Sequence, residues 1–286
     1  MEITSRENET FRELLKLTDK KWRRRLGLCI VEGEKAVRDN SHRIERIFVR
    51  PKSHTPTACG CHPFILKGNV LSEHVYEKNI ATSTSNDEFS PFRKRGARVY
   101  EGGVCDNYFI LSDKLFDEIS SLETDQGVLA VVKIPPSRAV TFPFLVLDGI
   151  QDSGNMGTLL RTAAAFGFDT VFCLDCVDVW SQKVLRASSG VSFGLNIIEA
   201  SEFEKPPDCV LFGADSNTPS SLRDATPLLR GDHFGIVLGS EGRGISEKLK
   251  NHIDHFIKIP MCAGVESLNV AVAGGILMYE LKGEIK

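Results

Sequence analysis

Short apolar runs alternate with amphipathic stretches after residue 140, and this alternation limits the fold more than any other feature of the chain. The run Phe144–Leu147 is apolar at every position, which predicts a strand in a sheet covered on both faces. Strands that alternate with helices form a parallel α/β sheet. The predicted strands here are 144–147, 171–174, 195–199, 210–212, 234–238 and 256–259. The predicted helices are 156–166, 181–188 and a short one from residue 246.

The residues before position 135 carry a second set of predicted elements. Strands are predicted at 28–31, 44–49, 108–111 and 128–132, and helices are predicted to begin near residues 11, 33 and 113. Pro135–Arg138 then stops regular structure. We therefore predict a smaller α/β domain at residues 1–135, with 50–105 partly an insertion or loop, and a second domain at 140–286.

The composition suits a folded protein without a general affinity for polyanions. The chain has 286 residues, of which 42% are hydrophobic, enough for one large domain or two ordinary ones. Its net charge is −3, so any nucleic-acid surface must be local. Eight cysteines within apolar runs favour a reducing compartment. No apolar run has the roughly 20 residues of a membrane span, so we predict no membrane segment and a cytoplasmic location, with an organelle as the alternative.

One short segment gathers five cations around a tryptophan. It comprises Lys20, Lys21, Trp22, Arg23, Arg24 and Arg25. One interpretation is a solvated helix face with a half-buried ring. The other is an RNA-binding patch that contacts phosphates and stacks a base or ribose on the ring.

Two pairs of closely spaced cysteines have alternative interpretations. Cys59 and Cys61, with His62, have residue types that bind zinc, but no second ligand pair has metal-site spacing, so a loop is favoured and no metal is expected. Cys173 and Cys176 have the spacing of a redox pair. They follow a predicted strand, whereas thiol activation favours helix N-termini, so redox use is not favoured.

Three polar segments follow predicted strands, where open parallel sheets bind ligands. In the first, Gly157 lies four residues before Arg161, on the same helical face. We interpret the space left by the glycine as a notch beside a phosphate-binding arginine. The alternative is a packing glycine and a surface arginine. The second, Gly235–Ile245, has glycines that let main-chain amides approach a ligand. In the third, Ser267 and Asn269 precede a run that is apolar on every side, which predicts a fully buried helix capped by the serine or facing a ligand.

Taken together, these segments resemble one enzyme family. The motifs are Asn155-x-Gly157-x3-Arg161, then Leu238–Gly244, then Ile259–Met261 followed by Glu266–Val270. They resemble the motifs of the SpoU (TrmH-like) RNA ribose 2′-O-methyltransferases of the SPOUT superfamily, over residues 140–283. The resemblance implies a parallel sheet with a C-terminal deep trefoil knot, preceded by a smaller α/β substrate-binding domain like that of ribosomal-RNA members.

The resemblance also implies a methyl donor, a partner subunit and residue roles. S-adenosyl-L-methionine would bind in the knot, and a homodimer would bring the arginine of one subunit to the site of the other. Arg161 would contact the RNA phosphate and the ribose 2′-hydroxyl. Asn155 and Ser267 would orient that hydroxyl. Glu241 would position Arg161 or the knot loop, and Asn269 would brace the site. The implied donor contacts are Leu238, Gly239, Gly244, Ile259, Met261 and Leu268.

Other functions stay open at this point. The chain departs from the family pattern at Ser153, where proline is usual, and at Gly274 and Gly275, where alanine or serine is usual. An RNA-binding relative without catalysis is one alternative, and a nucleotide-dependent oxidoreductase is another, although Gly239–Gly244 lies too late in the chain for a dinucleotide fingerprint. Ribosomal RNA is favoured over transfer RNA because of the domain before residue 135.

Overall fold

The computed structural model describes residues 1–51, 108–122, 125–221 and 233–282. The helices of these residues are α1 (Glu9–Lys16), α2 (Lys20–Leu26), α3 (Glu34–Asp39), α4 (Asp113–Ile119), α5 (Ser153–Phe166), α6 (Gln182–Ala187), α7 (Glu247–Lys250) and α8 (Val270–Lys282). The strands are β1 (Glu2–Ile3), β2 (Leu28–Glu32), β3 (Ile44–Val49), β4 (Tyr108–Leu111), β5 (Val128–Lys133), β6 (Phe144–Asp148), β7 (Thr170–Leu174), β8 (Asn196–Ala200), β9 (Val210–Ala214), β10 (Phe234–Gly239) and β11 (His255–Ile257). The predicted zinc alternative at Cys59–His62 and most of the predicted insertion at 50–105 lie outside the described residues.

The chain divides into two compact units. The smaller consists of Met1–Leu14 and Glu32–Val132, and the larger of Leu15–Val31 and Lys133–Lys286. Residues 15–31 therefore belong to the larger unit, whereas the sequence prediction assigns them to the first domain. The functional division into an RNA-binding domain and a catalytic domain stays a prediction. Among the described helices, none is long and apolar enough to cross a membrane.

A five-stranded sheet has the order β1-β4-β3-β5-β2. It is mixed, because β3 pairs parallel with β4 and antiparallel with β5. The residue that follows β3, Arg50, lies over the buried ring of Phe116 on α4 at 4.7 Å from its centroid. The same guanidinium donates hydrogen bonds to the carboxylates of Asp113, Asp117 and Asp125. These contacts hold α4 against the end of β3.

The larger unit contains a six-stranded parallel sheet with the order β11-β9-β10-β6-β7-β8. This confirms the predicted parallel α/β fold. The residues Phe144–Leu147 of β6 are fully buried, as expected for a central strand covered on both faces. Asp148 at the end of β6 is in register with Gly239 of β10 and with Leu174 of β7. The polar segments that follow these strands therefore start at one edge of the sheet.

Two element boundaries differ from the prediction for local reasons. Helix α5 begins at Ser153 rather than Met156, because the Asp152 side chain accepts a hydrogen bond from the Asn155 N–H and caps the first turn. Strand β11 ends at Ile257, two residues before the predicted end. The remaining predicted strands and helices of the described residues are confirmed to within three residues.

Helix α8 is not buried on every side, so the prediction of full burial is wrong. Val272 is 52% exposed and Tyr279 is 62% exposed. The opposite face packs on α5 and β10. At the centre of this contact, a Cβ on Gly274 would lie 2.5 Å from Leu159 Cδ2 and 2.7 Å from Leu238 Cδ1. Helix α8 is therefore apolar in composition but buried on one face only.

Candidate functional site

A cavity of about 430 Å³ lies at the carboxyl ends of β9, β10 and β11. Its wall includes the six residues for which the resemblance implied donor contacts, namely Leu238, Gly239, Gly244, Ile259, Met261 and Leu268. The structure thus brings together residues from two segments that are separate in the sequence. Their role as donor contacts stays a prediction.

The glycines at the end of β10 and in the loop that follows it allow the tight conformation of that loop. A Cβ on Gly239 would overlap the backbone of Gly244 and Ile245. Ser240 and Gly244 exchange two main-chain hydrogen bonds of 3.1 and 2.8 Å, and Gly244 has a φ of 65°. The N–H groups of Ser240 and Gly244 are therefore used within the loop, and the approach of other main-chain amides of this segment to a ligand stays a prediction.

Sequence reasoning missed one wall of the cavity. It is formed by the last residue of β9, Ala214, by the three residues that follow it and by Lys258. The Asp215 N–H donates to the Ile257 carbonyl at 3.0 Å, and the Asp215 carboxylate accepts from the Asn217 N–H at 2.9 Å. A polar run directly after an apolar strand was the available signal, since such runs mark the ligand edge of a parallel sheet.

One side chain from each of the three motifs meets beside this cavity. Asn155 Nδ2 donates to Glu241 Oε1 at 2.9 Å. Asn269 Nδ2 lies 3.0 Å from Asn155 Oδ1 and 2.9 Å from Glu241 Oε1. We call Asn155, Glu241 and Asn269 the motif cluster. All three residues are ones that the resemblance assigned to the active site. In the cluster, the side-chain amides of Asn155 and Asn269 both donate hydrogen bonds to the Glu241 carboxylate.

Asn269 also caps the helix that follows. Its Oδ1 accepts hydrogen bonds from the N–H groups of Ala271 and Val272 at 3.0 and 3.3 Å. The interpretation that Ser267 caps this helix is therefore wrong, because α8 begins at Val270 and the asparagine supplies the cap. Ser267 is exposed and lines the cavity, so its hydroxyl is available to a ligand.

Arg161 contacts a serine outside the motif cluster. Its exposed guanidinium donates from Nη1 to Ser189 Oγ at 3.5 Å. Arg161 is not one of the described residues that line the cavity. Glu241 contacts the two asparagines, so the contact between Glu241 and Arg161 that the resemblance suggested is not formed within the described part of one chain.

Gly157 does not form a notch for a phosphate. A Cβ at this position would overlap Ala187 and the main-chain nitrogen of Ser188. The glycine therefore lets α5 pack closely on the end of α6, and the alternative interpretation of a packing glycine is correct. The notch interpretation is wrong, because the space beside Gly157 is filled by the chain itself.

The basic segment on α2 divides into cations that have protein partners and cations that face solvent. Arg23 is buried, donates from Nε to Asp178 Oδ2 at 2.7 Å and donates from Nη1 to the Leu17 carbonyl at 2.6 Å. The prediction that Arg23 contacts RNA is therefore wrong, because its guanidinium is enclosed in an ion pair. Arg24 pairs with Glu199 at 2.8 Å.

Of the remaining cations of the segment, Lys20 has a protein partner, whereas Lys21 and Arg25 face solvent near the ring of Trp22. Lys20 Nζ donates to the Cys176 carbonyl at 3.1 Å, while Lys21 and Arg25 are exposed. The half-buried ring of Trp22 has Lys16 Nζ at 5.0 Å and Arg25 Cζ at 5.2 Å from its centroid. We call Lys16, Lys21, Trp22 and Arg25 the α2 surface. Its contact with RNA stays a prediction.

The Cys173–Cys176 pair lies at the buried end of β7. Cys173 is 3% exposed and Cys176 is 8% exposed. A hydrogen bond between the two thiols raises the pKa of Cys173, together with its burial, and lowers the pKa of Cys176. In the part of the chain that the structure describes, no group of three or more histidine, cysteine or acidic residues has the arrangement of a metal site.

Comparison with known proteins places these features in one family. The sequence profile described as the SpoU rRNA Methylase family matches residues 143–279. The chain is 31% identical over 185 residues to the 23S rRNA (guanosine(2553)-2′-O)-methyltransferase RlmP of Bacillus subtilis, covering 61% of this chain and 72% of RlmP.

Two solved structures share the fold over nearly the whole chain. One is a TrmH-family protein from Porphyromonas gingivalis, which is 27% identical, with a TM-score of 0.68 and coverage of 96% of this chain and 97% of the other. The second is an AdoMet-bound rRNA methyltransferase from Sinorhizobium meliloti, at 20% identity, a TM-score of 0.68 and coverage of 99% and 97%.

Proposed function

Because the chain belongs to the SpoU rRNA methylase family, we propose that it transfers a methyl group from S-adenosyl-L-methionine to a ribose 2′-hydroxyl of RNA. The observation that carries this proposal is the motif cluster, in which Asn155, Glu241 and Asn269 meet beside a ligand-sized cavity. Ribosomal RNA is the proposed substrate, since RlmP is named for 23S rRNA, and transfer RNA is the alternative.

The cavity fits the proposed donor in size and chemistry. Small-molecule sites have volumes of about 300–1,000 Å³ and mostly apolar walls with a few polar groups. Leu238, Leu268 and Leu277 provide the apolar wall, and Lys258 provides a cation that suits a carboxylate. When bound, S-adenosyl-L-methionine supplies an electrophilic methyl group on a sulfonium.

The residues of the chain must then activate the ribose hydroxyl. An alcohol is a weak nucleophile, so charge develops on its oxygen as its proton passes to solvent water, and this charge must be stabilised. Arginine stays protonated in proteins, so Arg161 acts as an electrostatic stabiliser of that oxygen and as a phosphate contact. Asn155 and Ser267 orient the hydroxyl, and Glu241 and Asn269 hold the loops that carry them.

A homodimer completes the site in this proposal. Arg161 is absent from the described lining of the cavity, which supports a site in which the arginine comes from a partner subunit. The exposed face of α8, with Val272 at 52% and Tyr279 at 62% exposure, offers an apolar surface for that partner. This face lies on the helix that Asn269 caps, so dimer contact and active site share one element.

The proposed deep trefoil knot is supported by the course of the chain after the sheet. Strand β11 pairs with β9 at the edge of the sheet. The chain then returns to pack α8 against β10 and α5. Residues after β11 and residues of the loop at Ser240–Gly244 line the same cavity, so this return runs beside the loop. The proposed knot would require the segment between β11 and α8 to pass through a larger loop of the chain.

Outside the cavity, RNA would be bound by the α2 surface and by other parts of residues 1–135. The α2 surface combines three cations with a tryptophan ring, a composition suited to phosphate contact and base stacking. Residues 1–135 are the proposed RNA substrate-binding domain. The proposed site of action is the cytoplasm, with an organelle as the alternative.

The function is tested by separating donor binding from methyl transfer. Calorimetry measures binding of S-adenosyl-L-methionine to the wild type and to Arg161→Ala, and we expect equal affinities. Tritiated donor with separate ribosomal and transfer RNA fractions then measures transfer, which we expect for the wild type on ribosomal RNA and not for Arg161→Ala. Label in transfer RNA alone would support the alternative substrate, and donor binding without transfer to either RNA would support a catalytically inactive RNA-binding relative.

A further inference from the structure

Ser189, which contacts Arg161, has an unusual backbone conformation. Its φ is 54°, in the left-handed region that residues other than glycine rarely adopt. Its hydroxyl accepts the hydrogen bond from Arg161 Nη1 at 3.5 Å. Strained residues of this kind persist where the surrounding structure holds them, and they cluster at functional sites.

The segment that carries Ser189 is fixed relative to the helix that carries Arg161. Gly157 on α5 packs directly on Ala187 and the Ser188 nitrogen, four residues before Arg161 on the same helix. The Ser188 hydroxyl is buried, 2.9 Å from the Ser192 hydroxyl, and it donates to the Leu185 carbonyl at 3.1 Å. The position of Ser189 is therefore set by close packing and by buried hydrogen bonds.

We propose that Ser189 is a positioning residue that holds the guanidinium of Arg161 in its reactive orientation. An exposed arginine has many rotamers, and an acceptor for Nη1 on a closely packed backbone segment reduces their number before RNA binds. The inference rests on the proposed function, since Arg161 is the group that stabilises the ribose oxygen there. It adds a residue from the α6 turn, outside the three motifs, to the machinery of the reaction.

The key variant is Ser189→Gly, which removes the hydroxyl and also relieves the backbone strain. Glycine adopts positive φ without steric cost, so this variant should fold at least as stably as the wild type. We expect the single-turnover methyl-transfer rate at saturating RNA to fall about 10-fold to 100-fold, the range of a displaced catalytic group. Donor affinity by calorimetry should not change.

Two further variants separate positioning from folding. Asp208→Gly is the matched control, because Asp208 is exposed, has a φ of 56° and lies outside the proposed site; its transfer rate should equal that of the wild type. Ser189→Asn tolerates the same backbone region and offers an amide oxygen as acceptor, so it should restore most of the rate.

The dependence on Arg161 is tested in a second background. Arg161→Lys lacks the Nη atoms that contact Ser189, so adding Ser189→Gly to it should slow transfer little further, whereas independent effects would multiply. A full additional loss in that background, or a Ser189→Gly rate equal to that of the wild type, would overturn the inference and leave the proposed function standing. A wild type that transfers no methyl group to any RNA would overturn both.

Discussion

Asn155 donates a hydrogen bond from Nδ2 to Glu241 Oε1 at 2.9 Å, across 86 positions of the chain. Asn269 donates to the same oxygen, so one carboxylate joins the start of α5, the loop after β10 and the start of α8. Each of these places lies where the chain leaves a strand or enters a helix. The carboxylate therefore sets the relative positions of three loops.

Replacing Glu241 by alanine should damage transfer more than stability. The two asparagine amides would lose their shared acceptor, and the side chains that face the ribose would lose their fixed positions. Since Glu241 is exposed, its removal should change the melting temperature little, while the transfer rate should fall about 100-fold. Single-turnover assays check this, with Glu202→Ala as the exposed acidic control. Equal rates for the two variants would contradict the role of the cluster.

Mixed dimers should show that Arg161 acts on the site of a partner subunit. Arg161→Ala and Asn269→Ala should each be inactive, but a dimer with one subunit of each kind has one intact site. Co-expression should therefore restore about one quarter of the wild-type rate through random pairing. Co-expression of Asn269→Ala with Glu241→Ala is the control, because both changes damage the same side of the site and no intact one forms. Absence of recovery in the first mixture would contradict the proposed dimer.

Arg23→Met should destabilise the larger unit strongly. The change leaves the buried Asp178 carboxylate without its guanidinium partner, and breaking a buried pair in this way costs about 3–5 kcal/mol. Urea unfolding measures the loss. Lys21→Met on the same helix is the control and should stay within about 0.5 kcal/mol of the wild type, since Lys21 is exposed. Similar unfolding free energies for the two variants would show that Arg23 is not the buried anchor described above.

The two adjacent glycines of α8 should respond to alanine in opposite directions. A Cβ on Gly275 meets Thr162 Cγ2 at an ordinary 3.8 Å, so Gly275→Ala should stabilise the helix by about 0.5–1 kcal/mol. Gly274→Ala forces a methyl group into Leu159 and Leu238, and overpacking costs about 1–3 kcal/mol. Thermal unfolding of both variants checks the difference in sign. A stabilising Gly274→Ala would mean that α8 packs less closely than described.

The strands could be predicted from the sequence because their signal is local. Phe144–Leu147 is apolar at every position, and such a run is buried whichever neighbours it has. Part of the cavity lining could be predicted by the same reasoning, because polar residues that follow a buried strand lie at the ligand-binding edge of a parallel sheet. The family motifs supplied the rest of the site residues, including Asn155 and Glu241, which the structure brings into contact.

Other features depend on partners far away in the sequence. The space beside Gly157 is filled by Ala187, and the charge of Arg23 is paired with Asp178, 155 residues later. Neither partner is visible from spacing or composition. The exposed face of α8 was missed for a related reason, because apolar residues such as Val272 do not reveal which surface covers them.

The most direct test of the account is the position of the transferred methyl group. The purified chain is incubated with S-adenosyl-L-methionine carrying a labelled methyl group and with ribosomal RNA, and the RNA is digested to nucleosides for mass spectrometry. We expect label on the ribose of a 2′-O-methylnucleoside, and no label with Arg161→Ala. Label on a base, or equal labelling by Arg161→Ala, would contradict it.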